Sequence, residues 1–247
     1  MTNRAGRLET VATAACVVAA TGGFSSRVMA AGAAYQVDTA EVSEPGSCKV
    51  ESWISSADNR DVIAAMSPAC VVNLGRPVEV SAQFQQTRAD GEWGTVVSPK
   101  LKTNLVPTAI GSWGVAASAT ASYDLVTGEN TALFVTIPAT LRVSNVVRIN
   151  LNAGWQLDRT TNQHFFTYGA GFDWRTPDNV WTITGEMFGQ LGNAEDRGTI
   201  EPRFQLGLRY RPVDQFNIDL IYGRNLTGER ANWLTLATVV RFSVAEK

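Results

Sequence analysis

The sequence predicts an all-β fold, an antiparallel transmembrane up-and-down β-barrel of twelve strands. Three observations predict it: apolar residues recur at every second position over long stretches, aromatics gather at the ends of those stretches, and polar turns separate them. The pattern is plainest at residues 147–155. There Val147, Ile149, Leu151, Ala153 and Trp155 alternate with Arg148, Asn150, Asn152 and Gly154. A period of two puts the first set on one face of a strand and the second on the other. After a polar turn it resumes with Phe166, Tyr168, Ala170, Phe172 and Trp174 opposed by Thr167, Gly169, Gly171 and Asp173. Each run has the roughly 9–11 residues that a membrane-crossing strand needs, and a dyad repeat between turns is the sequence pattern of membrane barrels.

The chain opens differently. Residues 1–30 read as a secretory signal peptide: Arg4 and Arg7 precede an apolar run at 11–20, small residues follow, and cleavage is expected after Ala30 or as late as Ala33. That run is too short for a transmembrane helix, which needs about eighteen apolar residues. Removing residues 1–30 takes away Arg4, Arg7, Arg27 and Glu9, so a formal charge of −2 becomes −4. A mildly acidic chain gives no electrostatic reason to expect nucleic acid as a partner. Residues 31–47 are polar and poorly patterned and are expected to form a periplasmic lead-in open to a periplasmic partner. Residues 48–242 then form the barrel, and 243–247 a short tail.

Two cysteines remain after the leader. Cys48 opens one strand-like run and Cys70 closes the next, so a hairpin places both at its open end. An exported compartment permits a disulfide there, contributing about 2–4 kcal/mol. Spacing of the Cys-x-x-Cys kind, which would suggest redox catalysis, does not occur.

From Val78 the alternation firms up. Val78, Val80, Ala82 and Phe84 oppose Glu79, Ser81, Gln83 and Gln85, and Asp90-Gly91 is a hairpin signal. The return strand carries Lys100 and Lys102 on its polar face, with a bulge or break expected at Pro99. Trp113 to Tyr123 presents a small inner face. Leu133, Val135, Ile137, Ala139 and Leu141 come next, with Arg142 on the opposite face, and the hairpin from Val147 to Trp174 follows. Trp181, Ile183, Gly185 and Met187 then face out, as do Phe204, Leu206, Leu208 and Tyr210, then Phe216, Ile218, Leu220 and Tyr222, and lastly Leu234, Leu236, Thr238, Val240 and Phe242.

Turns at 144–145, 176–179 and 211–215 fall at one end and read as short. Those at 157–163, 192–198 and 225–231 fall at the other and read as longer, the asymmetry expected of periplasmic turns and external loops. Trp113, Trp174, Trp181, Tyr210 and Phe242 are expected at the periplasmic membrane interface, and Tyr123, Trp155 and Tyr222 at the external one. Trp and Tyr favour that boundary because one edge of the ring is apolar and the other can hydrogen-bond. On this facing, arginine at Leu151 should impair assembly and arginine at Asn152 should be tolerated.

The last strand resembles the closing signal of Gram-negative outer-membrane proteins, an alternating strand ending in an aromatic, here Leu234, Leu236, Thr238, Val240 and Phe242. That resemblance implies a location in the cell outer membrane, with outer-membrane lipids and the outer-membrane assembly machinery as partners. A narrower likeness rests on Cys48-Lys49-Val50-Glu51-Ser52-Trp53, the second cysteine and the compact meander. These are similar to the transporters linked to phenol-degradation meta-pathways. That implies transport without naming a cargo.

The inner face is where function is expected. Lys100, Lys102, Arg142, Arg148, Arg203, Arg209, Arg211 and Arg241 point inward, opposed by Glu79, Asp173, Glu186 and Asp219. An excess of basic positions in a confined lumen favours anions, so the expected function is passive passage of small solutes with an anion preference. The competing reading is a lumen packed by its own ion pairs, as in a structural or partner-binding envelope barrel. Gly169 and Gly171 are expected to relieve crowding where the barrel curves. A lipid hydrolase would need a nucleophile, a base and an orienting group together. The single histidine, His164, sits at an external loop edge with no companion serine. No metal or cofactor is expected, since neither His-rich zinc spacing nor a calcium loop occurs.

Overall fold

The computed structural model describes residues 34–89, 91–192, 202–226 and 231–244. The expected signal peptide, residues 31–33, Asp90 of its turn, most of the 192–198 and 225–231 loops and the end of the tail lie outside the described residues. Twelve strands run in chain order: β1 (Ser47–Ala57), β2 (Val62–Asn73), β3 (Pro77–Ala89), β4 (Glu92–Val106), β5 (Trp113–Asp124), β6 (Asn130–Arg142), β7 (Val147–Asp158), β8 (Gln163–Arg175), β9 (Trp181–Leu191), β10 (Arg203–Val213), β11 (Phe216–Asn225) and β12 (Asn232–Ser243). Each pairs antiparallel with its neighbours in sequence, and β1 pairs with β12 to close the barrel. Closure removes the edges that an open sheet would present.

The period-two pattern sets the register. In the β7–β8 pair Leu151 stands opposite Ala170 and Trp155 opposite Phe166, so apolar meets apolar on the outside. The polar set shares the inside, where Arg148 opposes Asp173. A one-residue slip would exchange the two faces. Ile149, Leu151, Phe172, Ile183, Leu206, Leu220 and Leu236 are all exposed on the outer wall.

The break expected at Pro99 occurs on one side only and without a bulge, since the β4–β5 ladder skips Ser98 and Pro99. Pro99 pairs with Ala82, and β4 keeps one register with β5 on either side of it, from Val97↔Tyr123 to Lys100↔Thr120. The shift in that pair comes at Asn104 and Val106 instead. Pro68 behaves alike: the β2–β3 ladder runs from Met66↔Phe84 to Ala69↔Ser81 without a shift. A proline lacks one donor, and a strand hydrogen-bonded on both sides tolerates one missing rung.

The end of the barrel that carries Ser47 and Ser243 is called the near end here, and the opposite end the far end. The turn-length asymmetry is weaker than expected. Most of 157–163 is strand, because Leu157 pairs with His164 and Asp158 with Gln163, which leaves only 159–162 as a connection, no longer than 143–146 at the near end.

Cys48 and Cys70 face each other across β1 and β2 and form a disulfide. It pins the first hairpin at the near end beside the β1–β12 seam, where Cys48 also opposes Phe242. At the far end Asn232 donates from its backbone N (3.1 Å) and side-chain nitrogen (2.7 Å) to the Asp58 carboxylate, clamping the same seam. Those donors hold the Asp58 carboxyl below the usual carboxylate range.

Residues 34–46, expected outside as a lead-in, run through the barrel interior instead. Gly46 enters at the near end, where its N donates to Val71 O (2.9 Å) and its O accepts from Val244 N (2.8 Å). Tyr35, Val37, Thr39, Ala40 and Glu41 are buried. The physical reason is that Asp38 and Glu41 find inward cations, and their apolar neighbours find small residues on the wall.

Candidate functional site

The site is the lumen, which is divided. The luminal segment crosses the near half, passing from β6 and β7 toward β10 and β11. Glu41 pairs with Arg148 and, at 3.9 Å, with Arg142. The Ala40 N donates to Thr140 Oγ1 (2.8 Å), and its O accepts from the Asn104 side chain. Asp38 bridges Lys100 and Lys102, each at 2.7 Å. The Asn152 amide, turned so that its oxygen accepts from Asp38 N (2.7 Å) and its nitrogen donates to Asp38 O (2.8 Å), grips the backbone there.

Farther along, Glu186 on β9 accepts from Gln36 N (2.9 Å), Val37 N (3.3 Å) and Gln205 Nε2 (2.9 Å). The Tyr35 hydroxyl donates to Asp219 (3.3 Å), and the Arg209 guanidinium lies 5.5 Å from the Tyr35 ring centroid, within cation–π range. No strand ladder includes residues 35–41; side chains of the wall hold them.

Glycines complete the fit. A Cβ built on Gly169 would come within 2.8 Å of Val37 Cγ2, and one on Gly207 would collide with the Tyr35 ring. Gly169 and Gly171 were expected to ease curvature; they face Val37. Around this contact the interior is dense: Thr39, Thr140 and Asn217 are fully buried.

Beyond the segment lies a cavity of about 580 Å³. Tyr35, Gln36 and Asp38 form part of its wall, together with Gln83, Gln85, Ser98, Ser122, Gln156, Thr167 and Gln190. Trp53, Phe134, Tyr168 and Phe188 interleave aromatic surface, and Arg203 stands exposed among them. Such a lining offers neutral donors and acceptors beside charges of both signs, Asp38, Glu51 and Glu79 with Lys49, Lys100 and Arg203, and the volume lies within the range of small-molecule sites.

Several of the remaining inward charges form local pairs. Arg148 donates from Nε to Asp173 (2.8 Å), which also accepts from Thr184 (2.7 Å) and Asn150 (2.9 Å). Arg209 pairs with Asp219 at 2.6 Å. On β1, Lys49 sits 3.0 Å from Glu51 and 3.4 Å from Glu79. Arg211 donates to Asn179 O (2.9 and 3.1 Å), outside these clusters. Arg241 is half-buried, and its Nη1 has no hydrogen-bond partner among the described residues.

A family model covers residues 17–242. The chain belongs to the family described as uncharacterised conserved protein UCP029691. No curated protein matches the sequence. Among solved structures the chain is similar to the KdgM porin, at 9% identity over 78% of this chain and 99% of that one, with a TM-score of 0.61. A second KdgM structure, described as in complex with disordered oligogalacturonate, matches at 10% identity over 78% and 99%, TM-score 0.61. The COG4313 outer membrane channel from Pseudomonas putida F1 matches at 13% identity over 82% and 98%, TM-score 0.58. At these identities the likeness establishes the fold, that of outer-membrane barrels.

The aromatics expected at the membrane interface, Trp113, Tyr123, Trp155, Trp174, Trp181, Tyr210, Tyr222 and Phe242, are all exposed. Trp181 packs on Tyr210 at 4.7 Å between ring centroids. Trp155 donates from Nε1 to His164 Nδ1 (3.2 Å) on the exposed outer surface. That contact makes His164 the partner of an exposed tryptophan.

Sequence reasoning missed Tyr35, Asp38 and Glu41, because the segment reads as unpatterned, and Lys49 and Glu51, because the first strands carry weak alternation. The inward glycines were the available signal. A glycine on a strand marks close approach by another group, and three of them share one side of the lumen.

Proposed function

We propose that the protein is an outer-membrane channel for passive passage of small solutes, with the near end periplasmic and the far end external. One observation carries this reading: a polar cavity inside a closed barrel whose outer wall is apolar. In this reading residues 1–30 direct export, outer-membrane lipids cover the exposed wall, and the assembly machinery reads the β12 strand. The exposed aromatics sit at the two membrane interfaces, and the twelve charged residues named from the sequence set the lumen field. The likeness to phenol-degradation meta-pathway transporters fits this reading and supplies no cargo.

The selectivity expected from the strand charges needs adjustment. Eight inward basic residues against four acidic favour anions, but Asp38 and Glu41 from the luminal segment offset part of that excess, while Glu51 on β1 is matched by Lys49. A weak anion preference follows. The dense near half supports a second reading, a structural barrel with a closed lumen.

Swelling of proteoliposomes separates the two. Folded, heat-modifiable protein should admit arabinose faster than protein-free vesicles do and exclude the tetrasaccharide stachyose. Protein-free rates for both sugars would overturn the channel reading.

A further inference from the structure

The strands place cations beside cations. Arg142 and Arg148 stand directly opposite each other in the β6–β7 pair. Lys100 and Lys102 project from the same face of β4, two residues apart. Like charges so placed are destabilising, and each pair acquires a carboxylate from residues 34–46. Glu41 serves Arg142 and Arg148, and Asp38 bridges Lys100 and Lys102 at 2.7 Å each. These are built sites: the Lys102 side chain is 2% exposed and that of Arg148 11%. Asp173 also partners Arg148, so Arg148 keeps one carboxylate when Glu41 is neutralised.

The grip on the segment is one that can be released without opening the barrel. Its backbone is held by the side chains of Glu186, Asn152, Thr140 and Asn104, and the strand ladder is complete without it. Lys100 and Asp38 also line the cavity, so a solute there meets the first cation pair at its edge.

We propose that Lys100–Lys102 and Arg142–Arg148 are two carboxylate-binding sites on the lumen wall, filled in cis by Asp38 and Glu41. A soluble solute bearing two or more carboxylates takes them when the segment is displaced. The segment is then a tethered competitor that keeps the near half closed. The role in transport rests on the channel reading above, whereas the binding itself does not.

Citrate is the probe, titrated calorimetrically into detergent-solubilised, heat-modifiable protein, with erythritol as the uncharged control. A tethered carboxylate competes at a high effective concentration, so the Asp38→Asn/Glu41→Gln variant should half-saturate at a citrate concentration lower by about tenfold or more than the parent protein. Adding Lys100→Gln and Lys102→Gln should weaken that binding again. Gly207→Leu, which fills the space of the Tyr35 ring but leaves both acids, should also raise citrate affinity. This second route serves if the double variant fails to fold.

Equal citrate affinity in the parent and in whichever displacement variant folds would overturn the proposal. So would absence of citrate binding, or erythritol binding equally well. Citrate binding as expected with no conductance would keep the sites and remove the channel reading. Conductance without citrate binding would do the reverse.

Discussion

Asp219→Ala should destabilise the folded barrel by about 3–5 kcal/mol, the cost of stranding a buried charge. The Asp219 side chain is 1% exposed and accepts from Arg209 Nε at 2.6 Å, from Tyr35 at 3.3 Å and from Asn217. Its removal leaves the Arg209 guanidinium buried, with a second nitrogen, Nη2, already lacking a partner among the described residues. Removing both charges as Arg209→Met/Asp219→Leu should cost far less, because an apolar pair of similar volume needs no partner. Urea unfolding followed by tryptophan fluorescence checks both. A loss below about 1 kcal/mol for Asp219→Ala, the range of exposed pairs, would mean that water reaches Arg209.

Leu151→Arg is the second large effect. Leu151 lies in the body of β7 and is exposed on the outer wall. A cation on the lipid face of a barrel costs about 2–4 kcal/mol near the bilayer midplane. The variant should therefore yield markedly less heat-modifiable barrel in membranes. Gln156→Arg, on the same strand but lining the cavity, should assemble like the parent protein. Asn152 is not the neutral control that alternation suggests, since its amide holds the backbone of Asp38. Equal assembly of Leu151→Arg and Gln156→Arg would contradict the facing of β7.

The strands were legible because a period of two is a consequence of backbone geometry and needs no knowledge of neighbours. Leu151, Phe172 and Leu236 declare their face wherever the barrel closes. The disulfide was legible for a similar reason, since Cys48 and Cys70 frame one hairpin. The path of residues 34–46 depends instead on complementarity at a distance. Asp38 and Glu41 look like solvated acids until Lys102 and Arg148 are known to lie inside, each beside a second cation. Yet Tyr35, Val37, Thr39 and Glu41, all buried, recur at every second position, and Gly169 and Gly207 leave room for Val37 and Tyr35. The pattern is present in the chain but short, and a short polar run carries it.

The prolines mark local interruptions of one ladder, as a missing donor suggests, but no bulge. Pro99 and Pro68 sit within strands bonded on both sides, where the remaining rungs hold the register.

Single-channel recording of the protein in planar bilayers under a salt gradient tests the central claim most directly. The account predicts discrete small steps with a reversal potential shifted weakly toward anions, because the luminal segment narrows the pore and its acids offset the wall. Absence of any step from protein shown to be folded and inserted would contradict a channel.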